Sequence, residues 1–411
     1  MCWETWRRIV AKFDAEFIRK IPKTDVHVHL DGSLRLSTLI ELAKEQDVPL
    51  PSFTEEGMRE LVFKSTYKDL NEYLTGFAWT GRVMQTPENL DRIAYELAWD
   101  NFNEGVRYLE VRFAPQLHIS ASMTFETVMQ AVDRGLKRAR AEINGKMADD
   151  EPRFEYGIIV CAMRYFNEHF SDYYRDLIRL HQYSSERDII QMASLELAKA
   201  TIRLRDESDV QVVAFDLAGS EHGYPASAHQ ESFEYVHKHF LKKTVHAGEA
   251  YGPESIFQAI TKLHADRIGH GLRLFDTDFI LSADTDDKEE YIRNLSNFIA
   301  DNRTTIEVCL TSNMQTSPDL KEVKNHSLGK MLEQNLSVTF CTDNRLVSHT
   351  TVTNEINLAL ANFDIPPKQL KNIIIYGFKR SFFYRPYTEK RKYVRQIINY
   401  YEKLESEFAL S

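Results

Sequence analysis

Two spacings of apolar residues alternate along this chain. Short runs rich in β-branched and aromatic residues read as strands: TDVHVHL (24–30), VRYLEVRFA (106–114), FEYGIIVCA (154–162), VQVVAFDLA (210–218), KKTVHAG (242–248), ADRIGH (265–270), TTIEVCLTS (304–312) and LSVTFCTDN (336–344). Longer stretches between them repeat apolar residues every three to four positions and predict helices, notably 88–105, 125–143 and 231–240. Eight strands alternating with helices predict an α/β fold, the (β/α)8 TIM barrel. The competitor is a doubly wound open sheet. That fold usually carries a Gly-rich phosphate loop after its first strand, and DGSLRLS after Leu30 lacks the G-x-G-x-x-G pattern.

The segment 31–104, helical and aromatic-rich, is expected to cap the barrel mouth as an insertion rather than form a separate domain. No Pro/Ser linker, repeat or low-complexity tract divides the 411 residues, so one catalytic domain is expected over 1–411. Trp3, Trp6, Val10, Phe13 and Phe17 mark an amphipathic helix within 1–22, expected to pack on its own domain. Closing helices are expected at NEINLALANF (354–363) and, within the C-terminal stretch 378–411, at YVRQIINYYEKL (393–404). The acidic patch 284–290 reads as a solvated loop or a helix start.

Composition narrows the function. The formal charge of −10 is spread without a Lys/Arg stripe, which argues against nucleic acid and for a small ligand. Cys2, Cys161, Cys309 and Cys341 are far apart, and three lie in apolar runs, as expected for buried thiols of a reduced chain. No apolar run reaches the roughly 18–20 residues of a membrane span. Charges interrupt the N-terminal segment where a signal peptide would be apolar, so a cytoplasmic protein is expected. Oligomeric state is not legible.

Metal-ligand residues stand at the ends of these strands. His27 and His29 are two apart, so both imidazoles share one strand face while Val26, Val28 and Leu30 face the other way. HAGE (246–249), IGHG around His270 and Asp343 in FCTDN occupy similar positions, at the carboxyl face where barrel enzymes do chemistry. Three histidines and one carboxylate would give zinc a nitrogen/oxygen shell with a position left for water. Spacing leaves open which histidine stands off the metal. Glu249 follows His246 closely enough to share its pocket, which favours His246 as ligand and His270, between glycines, as the group orienting hydroxide. Glu110 and Arg112 read as an interior ion-pair network, Ser312 and Asn313 as supports of the site or a strand-ending turn, and His118, His222 and His349 as surface or loop histidines. Aromatics in 67–84 read mostly as core or lid packing.

TDVHVHLDGSL, EVRFAPQ, VVAFDLAGSE, HAGEAYGPESI, DRIGHGLRL and CTDN occur in the order and spacing of the adenosine deaminase family of zinc hydrolases, a resemblance spanning roughly residues 20–385. The resemblance implies a TIM barrel, one zinc ion per chain, and hydrolytic loss of ammonia from C6 of an adenine-type nucleoside or base, with water as co-substrate. Carried over by motif, it implies His27, His29, His246 and Asp343 as zinc ligands, Glu249 as proton donor to N1, and His270 as the hydroxide-positioning group. Asp343 would also accept the water's proton, and His29 would border the substrate as well as the metal. Asp31 resembles the residue that binds the ribose 5′-hydroxyl, and Gly219 the backbone N–H that meets N3.

One position departs from that pattern. Where the family has a second aspartate that bonds N7, this chain has Asn344, whose amide can still donate to a purine. Its neutrality keeps other 6-aminopurines in view: adenine, 6-amino-6-deoxyfutalosine or an N6-substituted nucleotide. A catalytically silent binding relative and an unrelated ester or amide hydrolase are the readings from other classes. Strand four ends in DLAG with no lysine for a carbamylated two-metal bridge, so one metal is expected.

Overall fold

The computed structural model describes residues 13–281 and 286–409. Residues 1–12 of the expected N-terminal helix and part of the acidic patch 284–290 lie outside them. Eight parallel strands pair in chain order: β1 (Lys23–His29), β2 (Val106–Phe113), β3 (Glu155–Met163), β4 (Val212–Ala218), β5 (Lys242–Ala247), β6 (Arg267–His270), β7 (Thr305–Val308) and β8 (Val338–Phe340). The sheet returns on itself where Asp343 pairs with Val28. The His29 N–H donates to the Asp343 carbonyl (2.7 Å), and the Asp343 N–H to the His27 carbonyl (2.8 Å). The residue expected to bind metal is therefore also part of the barrel seam.

Several of the helices that follow the strands open on a side chain that satisfies free N–H groups. Thr86 caps the helix Pro87–Asn103, Thr124 caps Phe125–Lys146, Ser185 caps Glu186–Glu207 and Thr351 caps Val352–Asn362. In the acidic patch, Asp287 caps Lys288–Asn302. Outward residues of the strands, such as Val28, Val111 and Ile268, share one apolar cluster with Leu90, Ile93, Leu97, Val128 and Leu136 of the helices. Each such side chain, fully buried, contributes roughly 1.5–3 kcal/mol.

Strands seven and eight are shorter than expected. Residues 310–312 open the helix Leu310–Thr316, and 341–344 leave the sheet to form the seam. Between β1 and β2, short helices at Leu36–Glu45, Glu55–Leu61, Leu70–Leu74 and Phe77–Val83 precede Pro87–Asn103. Part of this segment lies over the carboxyl ends of the strands. The Tyr67 N–H donates to the Gln315 carbonyl (3.1 Å), Tyr73 Oη pairs with Ser348 Oγ (2.7 Å), and the Phe77 ring lies edge-on to His29.

Candidate active site

Three strand ends and the seam bring His27, His29, His246 and Asp343 together, with one ligand atom from each lying within 4.8 Å of all the others. His27 and His29 point the same way because they are two apart on β1, and the β5–β6 register sets His246 beside Gly269. Gly269 is needed there, since a Cβ would lie 2.8 Å from His27 Cε1. The glycine before His270 thus makes room for a neighbouring imidazole. His270 (φ +66°) and Asp343 (φ +60°) both hold left-handed backbone, a strained conformation for residues with a Cβ.

Carboxylates behind the ring fix the tautomers. His27 Nδ1 pairs with Glu307 Oε2 at 2.7 Å, and His246 Nδ1 with Asp216 Oδ2 at 3.1 Å. Neutral histidines donating from Nδ1 present the Nε2 lone pair on the opposite side. Arg112 joins the two supports, donating to Asp216 (3.0 Å) and Glu307 (2.9 Å). Arg267 donates to Glu307 at 2.5 Å and also pairs with Glu110. The interior ion-pair network expected around Glu110 and Arg112 is present. Burial works against ionisation of Glu307, yet Arg112 and Arg267 outweigh it and hold its carboxyl below the usual range. At Asp216, likewise, His246 and Arg112 overcome burial and depress the pKa. Burial, reinforced by Arg112, lowers His27 well below an ordinary histidine, and burial lowers His29 too. Both are neutral and ready to ligate.

The donor set fits a divalent metal. His27 Nε2 is buried with no hydrogen-bond partner. It lies 3.5 Å from Asp343 Oδ1, as does His29 Nε2, and His29 Nε2 is 3.0 Å from His246 Nε2. Ligands about 2.0–2.1 Å from a tetrahedral zinc would stand about 3.3 Å apart. Burial also lifts the Asp343 carboxyl to about 6, with His246 the main group opposing it, and a cation would favour its charged form.

His270 stands apart from the ligand set and beside Glu249, with Nε2 3.8 Å from Glu249 Oε1. A relay sets its proton. The Leu328 N–H donates to His326 Nδ1 (3.0 Å), so His326 Nε2 carries the hydrogen and gives it to Asn313 Oδ1 (3.1 Å). The Asn313 amide then donates to His270 Nδ1 (3.0 Å), leaving an N–H on His270 Nε2. Burial lowers the His270 pKa, so it faces the site as a neutral donor. Burial and the nearby Asp343 and Glu221 raise Glu249 well above an ordinary glutamic acid.

Asp31 is buried near this group, with Oδ1 unpaired and its carboxyl pushed by burial to about 7. Asn344 packs against Gly32, where a Cβ would lie 1.8 Å from its Oδ1, and donates to Tyr73 Oη at 2.9 Å. Gly219 ends β4 at φ +95°, a conformation that favours glycine. Ser312 Oγ donates to the Cys309 carbonyl at 3.3 Å and lowers the Asp343 pKa, while Asn313 supports His270. The surface expectation holds for His222 and His349 but fails for His118, which is 1 % exposed against Phe113. Cys161, Cys309 and Cys341 are buried free thiols.

Sequence reasoning assigned no role to Asp216, Glu307, Arg164 or His326. Asp216 and Glu307 did leave a signal, a carboxylate interrupting an apolar strand run in VVAFDLA and TTIEVCL. His326, in the polar segment KEVKNHS, left none.

Residues 22–400 match the family model described as adenosine deaminase. An adenosine deaminase of Mycobacterium avium is 34% identical over 392 residues, covering 95% of this chain and 98% of its own length. An amidohydrolase of Burkholderia ambifaria, solved with bound Zn, shares the fold at TM-score 0.73 and 16% identity, covering 97% of this chain and 95% of that one. Arabidopsis ADAL in complex with IMP does so at TM-score 0.72 and 24% identity, covering 96% and 99%.

Proposed function

The chain belongs to the adenosine deaminase family, and from that premise we propose that it hydrolyses adenosine and 2′-deoxyadenosine to inosine and 2′-deoxyinosine with release of ammonia, a purine-salvage reaction. His27, His29, His246 and Asp343 would hold one zinc ion, the metal that suits their three nitrogens and one oxygen. Once bound, that ion supplies Lewis acidity that brings the pKa of a water from about 15.7 toward roughly 7.

The observation that carries the reading is the buried Glu249 carboxyl 3.8 Å from His270 Nε2, which burial, Asp343 and Glu221 push well above the usual range for a glutamic acid. Attack of water oxygen at C6 pushes the C6–N1 π pair onto N1. A carboxylic acid that delivers its proton to N1 lets the ring take up that pair without becoming an anion. The His270 Nε2–H would hydrogen-bond the attacking oxygen, and the Asp343 carboxylate would take its proton. Asp343 would then pass that proton to the amino group, the C6–N6 bond would break with loss of ammonia as the C6–O carbonyl forms, and the remaining hydroxyl proton would return to Glu249.

Asp31 would receive the ribose 5′-hydroxyl, the Gly219 N–H would meet N3, and an Asn344 N–H not used by Tyr73 would meet N7. Among the described groups no arginine or lysine acts on the Asp31 carboxyl. A 5′-phosphate would meet like charge there, which favours a nucleoside over a nucleotide. A panel of adenosine, deoxyadenosine, adenine, AMP, N6-methyl-AMP and 6-amino-6-deoxyfutalosine tests this, with ammonia release and metal content measured together. Turnover fastest on the two nucleosides is expected. Faster turnover of AMP or N6-methyl-AMP would overturn the nucleoside assignment, and inertness of the metal-loaded protein toward the whole panel would overturn the activity.

A further inference from the structure

The turn carrying Glu249 is held by a residue from a different strand. After β4, Glu221 reaches across to the loop that follows β5, and its carboxylate, 1 % exposed, accepts from four consecutive backbone N–H groups. Gly248 donates to Oε1 at 3.0 Å, while Glu249 (3.0 Å), Ala250 (2.7 Å) and Tyr251 (2.9 Å) donate to Oε2. The Ser255 hydroxyl also donates to Oε1. Consecutive N–H groups converge like this only where the backbone curls into an anion-binding nest. Gly248 makes that curl possible with φ +70°. Pro253 then opens the nine-residue helix Pro253–Thr261 without an N–H of its own.

We infer that Glu221 is a positioning residue for Glu249: its carboxylate fills the Gly248–Tyr251 nest and so aims the Glu249 side chain at the reacting base beside His270. The role given to Glu249 rests on the deaminase reading above, whereas the nest and its occupant do not. Four donors that would otherwise be buried without an acceptor make the turn depend on this one side chain. The metal cluster does not depend on it. His246 lies on β5, its ring held by Asp216 and its carbonyl by Arg164 Nη2 at 2.7 Å. Removing Glu221 therefore frees the proton donor while leaving the ligands in place.

The test compares the zinc-loaded wild type with E221A, E221Q and E249Q. In E221A, metal content is expected to match wild type, KM for adenosine to stay within a few-fold, and kcat to fall about 10²-fold, the penalty of a small misplacement. Formate or acetate should enter the vacated nest and restore E221A saturably. The same anions should leave E249Q inactive, and chloride should not substitute for them.

Amide exchange at residues 248–251 provides a readout independent of turnover. Protection should be lost in E221A and return with formate. If E221A does not fold, E221Q decides, because a glutamine can accept from some of these N–H groups but turns its own NH2 toward the others. A folded E221 variant with wild-type kcat, or one whose 248–251 amides stay protected, overturns the inference. An inactive wild type would instead refute the deaminase reading, and the exchange measurement would still decide the role of Glu221.

Discussion

Two buried sets of carboxyls behave in opposite ways. Inside the barrel, Asp216 and Glu307 are surrounded by Arg112, Arg267 and histidine rings, and their pKa values fall below the ordinary range despite burial. At the carboxyl ends of the strands, Glu249 and Asp31 are also buried; burial and neighbouring carboxylates outweigh Arg164 at Glu249, burial and Asp343 act on Asp31, and both pKa values rise. Glu355, which accepts from Thr311 and Thr350 with no cation, belongs to the second set at about 7. Desolvation is common to both sets, so the arginines decide the sign. The lower set is compensated and acts as scaffold. The upper set lacks that compensation and keeps its protons at the carboxyl ends of the strands.

The largest effect expected from breaking this contrast is at Glu249. E249Q should retain metal and lose about 10²–10⁴ in kcat, the usual contribution of a positioned acid. Steady-state kinetics with metal analysis would show it, and near-normal turnover would end the proton-donor role. In wild type, the alkaline fall of kcat/KM should follow deprotonation of this group.

Next is the scaffold. Arg267→Met removes the arginine partner of the buried Glu110 and leaves Glu307 with Arg112, and breaking a buried pair costs about 3–5 kcal/mol, measurable by denaturant unfolding. A loss below about 1 kcal/mol would show that the network is not the compensated set described.

Glu355 tests the linkage between burial and pH. Its native pKa of about 7 exceeds the ordinary 4.5, so the folded state holds the proton more tightly than the unfolded chain does. This contribution to stability is fully present below about pH 4.5 and is lost as pH rises toward 7. E355Q should remove a slope on the order of 3 kcal/mol across that window, read from unfolding at a series of pH values. A difference from wild type that does not vary with pH would break it.

The smallest effect is expected behind the metal. Asp216→Asn keeps a hydrogen-bonding group beside His246 but removes its charge, and metal affinity should fall about 10–100-fold by competition with a chelator. Unchanged affinity would mean that β5 alone orients His246.

The eight strands were legible because each is a compact apolar run, and local pattern suffices to place such a run. Their ends were less so. Residues 310–312 looked like strand yet begin a helix, and that helix is what brings Asn313 to His270. The cluster of His27, His29, His246 and Asp343 was legible because His27 and His29 share a strand face and the other motifs end strands. The supports were not, since Glu307 meets His27 across 280 positions of chain and His326 meets His270 only through Asn313. His118 looked like a loop histidine, and packing against Phe113 buried it.

Periodicity and short motifs by themselves determined the barrel, the order of its strands and the side chains that gather at its mouth, because those properties depend on residues close together along the chain. Closure decided the rest. Only when Asp343 seals the sheet against β1 do distant carboxylates, guanidiniums and backbone N–H groups come within hydrogen-bonding reach. Whether a buried acid keeps or loses its proton is set by those neighbours, and charge acts through space rather than along the chain.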